Sequence, residues 1–273
     1  MSGIELESWD GDKLTVNRTF ADLLCHHGWQ TFATVWAATA DAAVAKKLRT
    51  DRITLRFTLD DGGIARAFYI KRHVRSSWKE YVKPLLRLTW PILGARNEWN
   101  AILDFHKVGL PTMTPVALGE SGENSFLITE ALEGCTKLSE WEADQAEEAN
   151  ATNEKRNGLI RNVAQIARTM HGAGLHHQDF YLGHLMLSQS APERLYVIDL
   201  GRVQKHQRLS RRWIVKDLAQ LDFSAATKTS VVERLRFLRE YLGRPLTRLD
   251  RRLIHRIQSK TATIARHSLK NRL

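Results

Sequence analysis

The stretch HHQDFYLGHLML, residues 176–187, places Asp179 in a polar loop and His184 five residues further on, just before an apolar run. Fifteen residues past His184 the run LYVI ends in a second aspartate, Asp199, followed by Leu-Gly-Arg. A carboxylate at the end of an apolar strand is poorly solvated, so Asp199 calls for a partner or a metal. A loop carboxylate, a polar ligand five residues on and a carboxylate closing the next strand together constrain the chain more than any other feature.

The elements around this stretch change character along the chain. RITLRFTL (52–59) alternates, DDGG makes a turn, and IARAFYIKRH (64–73) reads as the partner strand of a hairpin. WQTFATVWAA (29–38) reads as an earlier strand, and MTPVALGE and SFLITEAL as two later ones. Between them, residues 94–109 carry Trp99, Ile102, Leu103 and Val108 at helical spacing, with Gly109 as the stop. Residues 154–174 form a long amphipathic helix ending at Gly172 or Gly174. HLMLSQ and RLYVIDL are short strands, and three further helical stretches follow. The expected fold class is α+β and bilobal: an N-terminal antiparallel sheet lobe with one helix (1–132), then a mainly helical lobe (133–273). A cleft between lobes is where ligands usually bind.

The bulk properties exclude several classes. A hydrophobic fraction of 43% and a charged fraction of 26% are those of a soluble globular protein. No apolar run approaches the ~18 residues of a membrane span, and the acidic N-terminus lacks a signal pattern, so a cytoplasmic location is expected. Cys25 and Cys135 lack metal-ligand spacing and read as free thiols in or near the core. From Arg202 onward there are 19 Lys/Arg against 5 Asp/Glu, an excess larger than the whole chain's +11. The simplest meaning is a solvated helical face; the size of the asymmetry points to an anionic membrane surface or its headgroups. Nucleic acid is excluded as a partner, because few aromatics interleave with these cations and no nucleic-acid signature appears.

Four groups then line up in chain order: Lys71 in the third strand, Glu98 in the next helix, Asp179 with His184 in the loop, and Asp199 after the last strand. Singly, Lys71 reads as well as an edge-strand lysine, and Glu98 as an exposed helix residue. In this order they suit phosphoryl transfer, which needs positioning and charge neutralisation more than covalent chemistry. Lys71 supplies charge to nucleotide phosphates and Glu98 restrains it. Asp199 offers a hard oxygen to Mg²⁺, and Asp179 takes the acceptor hydroxyl's proton. The order resembles protein-kinase-like folds. Two features depart from ordinary protein kinases. His184 stands where a metal-binding Asn is usual, so it either ligates the metal or braces the loop. No G-x-G-x-x-G precedes Lys71, and only the 38–51 stretch, with Lys46 and Lys47, occupies the place of a phosphate-covering loop.

MHGAGLHHQDFYLGHLML, YVIDLGRVQ, LGARNEW and KDLAQLDFSA are similar to the lipopolysaccharide kinase family (Kdo/WaaP type), over roughly residues 51–225. In that family a His at the position of His184 is usual, and the protein-kinase glycine loop is absent. The resemblance implies ATP and Mg²⁺ as cofactors and a sugar hydroxyl of the lipopolysaccharide inner core, heptose or Kdo, as acceptor. It implies Asp179 as catalytic base, His184 and Asp199 as metal ligands, Lys71 and Glu98 at the phosphates, and backbone groups from Glu130 to Leu132 at the adenine. Asp217 would cap the catalytic loop's backbone, and Arg202 would reach acceptor or phosphate or lie on the surface. HQD (177–179) lacks the arginine that would hold an activation-loop phosphate. Residues 71–90, with Trp78, Tyr81 and Trp90 among cations, suit either inter-lobe packing or a peripheral membrane and glycolipid contact. Acyl carrier protein is a further partner that the family suggests. Two rival functions stay open: a kinase for protein or small-molecule hydroxyls, to which the acidic 138–154 stretch would suit a cationic acceptor, and an inactive kinase-like module binding anionic lipid.

Overall fold

The structure, a computed structural model, describes residues 3–39, 43–49, 52–74, 94–141, 149–190 and 193–270, with only the backbone for 43–49 and 149–152. Residues 75–90 of the 71–90 segment and 142–148 of the acidic 138–154 stretch therefore lie outside the described residues. The chain divides into two compact units, residues 1–107 with 112–133 and residues 108–111 with 134–273.

The first unit is built on a seven-stranded antiparallel sheet. In chain order the strands are β1 (Leu6–Trp9), β2 (Leu14–Asn17), β3 (Ala43–Arg49), β4 (Arg52–Asp61), β5 (Ile64–His73), β6 (Pro115–Ser121) and β7 (Asn124–Glu130), and across the sheet they run β1-β2-β6-β7-β5-β4-β3. The β4–β5 hairpin closes on Gly62 and Gly63 with φ of +63° and +90°, the left-handed geometry that a two-residue turn demands of both positions. One face of the sheet packs Leu55, Phe68, Ile70, Val116, Phe126 and Ile128 against Phe20, Leu24, Phe32 and Val35.

Of the last four, Phe20 ends a 3-10 turn (Arg18–Phe20), and the others come from two short helices that the sequence reading lacked, α1 (Ala21–His26) and α2 (Phe32–Ala38). The segment expected as a strand at 29–38 is thus a helix. Thr31 and Thr34 form a reciprocal capping box at its start, and Phe32 and Val35, one turn apart, are its buried residues. The capping box outweighs the β preference of a run rich in Trp, Thr and Val. Cys25 in α1 is exposed and not in the core, while Cys135 is half-buried; both are free thiols. The third helix, α3 (Arg96–Lys107), buries Glu98 beside Trp99, Ile102 and Phe105.

The second unit begins its regular structure with β8 (Cys135–Lys137) and α4 (Ala149–Gly172). After α4 the chain turns at Gly174, where φ is +77° and a Cβ would lie 2.1 Å from the His206 carbonyl oxygen, so no other residue fits. Strand β9 (Leu175–His176) pairs with β12 (Gln204–Lys205), while β10 (Leu185–Ser188) lies between β8 and β11 (Leu195–Val197). These short strands hold the loops that contain Asp179 and Asp199. Behind them stand α5 (Arg211–Ala225), α6 (Val231–Leu242) and α7 (Arg251–Lys270), as the periodicity of the sequence led us to expect.

Candidate active site

In the second unit the loop after β9 is organised by a carboxylate that is not itself exposed. Asp217 is fully buried, and its two oxygens accept the backbone N–H groups of His177 at 2.8 Å and Gln178 at 3.0 Å. His171 Nε2 lies 3.4 Å from Oδ2 and His176 Nε2 3.2 Å from Oδ1. Burial alone would push this carboxyl up. Hydrogen bonding from His171 and the approach of His176 outweigh it and hold the group well below the usual carboxylate range. Burial lowers the pKa of His176 despite the nearby Asp217 charge, so the ring favours its neutral form and the two amides are the constant donors. Tyr241, whose hydroxyl meets His171 Nδ1 at 2.9 Å, is pushed up to about 12, by burial first and then by Asp217.

Asp217 is the first of three polar residues on one face of α5. Gln220 accepts the Phe180 amide at 3.3 Å through Oε1 and donates Nε2 to the Gln178 carbonyl at 2.5 Å. Ser224 accepts the Leu182 amide at 2.9 Å. The helix therefore fixes the loop's backbone from Gln178 to Leu182 by side chains at i, i+3 and i+7. This keeps Gln178 at φ +72°, a conformation uncommon for a residue with a Cβ.

Asp179 projects from the fixed loop with a quarter of its side chain exposed, and Arg202 Nη1 lies 3.0 Å from each of its oxygens. Arg202 thus sits on the loop carboxylate rather than standing free on the surface. Its side chain is more than half exposed, and such an ion pair is worth at most about 1 kcal/mol, little enough for a hydroxyl to displace it. Gln178, where an arginine would complete the protein-kinase triplet, donates Nε2 to the Arg202 carbonyl at 2.9 Å.

His184 donates Nδ1–H to the Asp179 carbonyl at 2.7 Å, since a carbonyl can only accept. Its other nitrogen, Nε2, faces Asp199 Oδ2 at 3.8 Å. Nε2 therefore either carries a second proton toward Asp199 or offers its lone pair to a cation shared with it. Asp199 takes the left-handed conformation, φ +59° and ψ +55°, at the end of β11. His177 is locked in one tautomer, accepting the Asp179 amide at Nδ1 and donating Nε2–H to the Ile198 carbonyl. Burial pushes its pKa down, which favours the neutral ring this bonding requires.

In the first unit, Lys71 on β5 lies 2.5 Å from Glu98 on α3, whose carboxylate is almost wholly buried. Arg52 on β4 reaches the second oxygen of the same carboxylate at 3.5 Å. Sequence reasoning missed Arg52, because its partnership depends on strand register. The Glu130 carboxylate is held by Arg66 at 2.6 Å, and its amide is donated to the Thr114 carbonyl. The Ala131 amide goes to the Ala67 carbonyl, while that of Leu132 has no backbone acceptor among the described residues. Lys46 and Lys47 lie on the edge strand β3 rather than in a loop.

The sequence and the fold have counterparts among known proteins. The model of the lipopolysaccharide kinase (Kdo/WaaP) family matches residues 34–241. The chain belongs to this family. Its curated relatives include the lipopolysaccharide core heptose(I) kinase WaaP of Pseudomonas aeruginosa, 39% identical over 73% of this chain and 77% of the relative. The protein of that name from Escherichia coli is 34% identical over 89% of this chain and 98% of its own. Among solved structures, WaaP in complex with acyl carrier protein matches with a TM-score of 0.69 and 30% identity, covering 95% of this chain and 99% of that one. The α+β kinase-like fold and the kinase class expected from the sequence are those of the Kdo/WaaP family. No helix among the described residues is long and apolar enough to cross a membrane.

Proposed function

We propose that this Kdo/WaaP-family kinase transfers the γ-phosphoryl group of ATP to a heptose hydroxyl of the lipopolysaccharide inner core. The observation that carries the reading is the loop in which Asp217, Gln220 and Ser224 fix the backbone so that one partly exposed carboxylate, Asp179, is presented. In that role Asp179 exchanges its contact with Arg202 for the acceptor hydroxyl and takes its proton as the bond to phosphorus forms.

At the second loop Asp199 supplies the hard oxygen that magnesium favours, and His184 a nitrogen donor that it takes less readily. His184 presents Nε2 toward a hard carboxylate oxygen of Asp199, and its tautomer is set by the Asp179 carbonyl. Among the described residues no cluster of three or more metal-ligating side chains occurs. Magnesium typically keeps several waters and takes phosphate oxygens, so two protein ligands are enough. Bound there, the ion would neutralise charge on the phosphates. In the first unit, Lys71, restrained by Glu98, offers its ammonium to nucleotide phosphates, and the Leu132 amide is the donor left for adenine.

The solved relative bound to acyl carrier protein supports the same partner here. A cavity of about 350 Å³ in the second unit is lined by Leu159, Val163, Leu218, Leu221, Phe237 and Ile257, walls that suit an acyl chain. A position on the cytoplasmic face of the inner membrane follows from such an acceptor, with the basic residues after Arg202 toward anionic headgroups.

Transfer of labelled γ-phosphate from Mg-ATP tests this reading, with heptosylated core lipid A, a generic protein and an aminated sugar offered as acceptors. Label on the glycolipid is the expected result. Label on either of the others would retain the site and replace the acceptor, and a folded protein that labels nothing would leave an anion-binding module.

A further inference from the structure

Three charged side chains meet on one face of the first unit's sheet. The β4–β5 register pairs Arg52 with His73 and Thr54 with Lys71, so Arg52 and Lys71 are diagonal neighbours projecting from the same face. Both converge on Glu98, Lys71 at 2.5 Å and Arg52 at 3.5 Å, and Glu98 is 1% exposed. The short Lys71 contact already compensates the buried glutamate, and the longer Arg52 contact lies at its edge.

Arg52 also holds a donor that no acceptor among the described residues meets. Its Nη2 contact to Glu98 is long, and its Nε is buried with no acceptor. An arginine retained for packing alone would have its buried donors met. The side chain is 30% exposed, so the rest of its planar fork is open to a ligand. That fork matches phosphate oxygens two at a time, where a lysine offers a point charge.

The position in the chain supplies the purpose. Strands β3 and β4 pair up to Arg49 and Arg52, with only Thr50 and Asp51 between them in sequence. A glycine-rich loop that turns a run of backbone amides onto phosphates has no room in that interval. We infer that Arg52 replaces those amides: it is a phosphate-binding residue for the nucleotide, acting beside Lys71 on the face where Glu98 holds both. This rests on the kinase reading and adds to it a residue and a mode of phosphate recognition.

Isothermal titration of the full chain with Mg-ATP and with adenosine tests the inference, using Arg52→Ala, Arg52→Gln and Arg52→Lys in the wild-type and Glu98→Gln backgrounds. The expected result is an ATP affinity at least tenfold weaker in Arg52→Ala and Arg52→Gln, with adenosine affinity unchanged and Arg52→Lys intermediate. The loss should persist in the Glu98→Gln background, because a direct phosphate contact does not act through Glu98. ATP affinity within twofold of wild type, or a loss that vanishes once Glu98 is replaced, would overturn it and leave Arg52 as a brace for Glu98. Should Arg52→Ala not fold, the two longer side chains carry the same comparison. Wild-type protein that binds no Mg-ATP would overturn the kinase reading and this inference together, whereas binding unaffected by Arg52 would sink only the inference.

Discussion

Glu98 in the first unit and Asp217 in the second are the most deeply buried carboxylates at their sites, and they are satisfied in opposite ways. Glu98 is met by two side-chain cations, Lys71 and Arg52, both partly exposed. Asp217 is met by two backbone amides of the loop that carries Asp179, with His171 and His176 packed against it. Side-chain cations can be handed to a substrate phosphate and taken back. Backbone amides cannot leave without unmaking the loop. The first arrangement is suited to binding and the second to holding still.

Replacing Asp199 by Ala lies outside both arrangements and sets the scale. Phosphoryl transfer should fall by about a thousandfold, on the order of other losses of transition-state charge stabilisation. The thermal midpoint should barely move, because Asp199 is about half exposed. Kinetics beside a melting curve would show both.

Asp217→Ala should instead cost stability, about 3 kcal/mol or more, since two buried amides lose their acceptor. Urea denaturation would measure it, and activity should fall in parallel as the loop loosens. Glu98→Gln sharpens the contrast from the other side. Lys71 and Arg52 keep part of their side chains in solvent, so stability should fall by less than in Asp217→Ala, by about 1 kcal/mol, while the KM for ATP rises about tenfold. A Glu98 variant that unfolds, or an Asp217 variant as stable as wild type, would erase the distinction between the two carboxylates.

The pH dependence is smaller and has a defined sign. Burial holds the folded-state pKa of His177 below its unfolded value near 6.5, so the unfolded chain takes up the proton first. Its contribution to stability is fully present above about pH 6.5 and is lost as pH falls toward the folded value. Asp217 adds a second loss that begins only below about pH 4, again because its folded-state pKa is depressed. His176, also lowered by burial, adds to the upper loss, so the melting temperature should decline in two stages on acidification, and His177→Asn should make the upper one shallower. A wild-type melting temperature constant from pH 7.5 to 5 would contradict this.

The second unit was the more legible of the two. In KDLAQLDFS the sequence marked Asp217 as the cap of the loop, while Gln220 and Ser224, at i+3 and i+7 on the same helix face, went unread and cap the loop with it. The loop, its strands and its supporting helix are close in sequence, so local spacing carries their arrangement. The first unit depends on longer-range facts. Residues 29–38 looked like a strand by composition, while the Thr31–Thr34 capping box and the packing of Phe32 and Val35 make them a helix. Arg52 gave no signal of its own, because its meeting with Glu98 needs the β4–β5 register and the placement of α3 at once. Arg202 was left between a ligand contact and the surface, since nothing in a linear Asp-Leu-Gly-Arg says that the turn folds back to Asp179.

The most direct test of Asp179 as the base is Asp179→Asn, measured for Mg-ATP binding and for phosphoryl transfer to heptosylated core lipid A in the same preparation. The substitution keeps the shape of the side chain and its contacts to the loop but removes the base. Nucleotide affinity should stay at the wild-type value and transfer should slow by about a hundredfold to ten-thousandfold. Transfer at close to the wild-type rate would contradict the assignment of Asp179 as the group that takes the acceptor's proton.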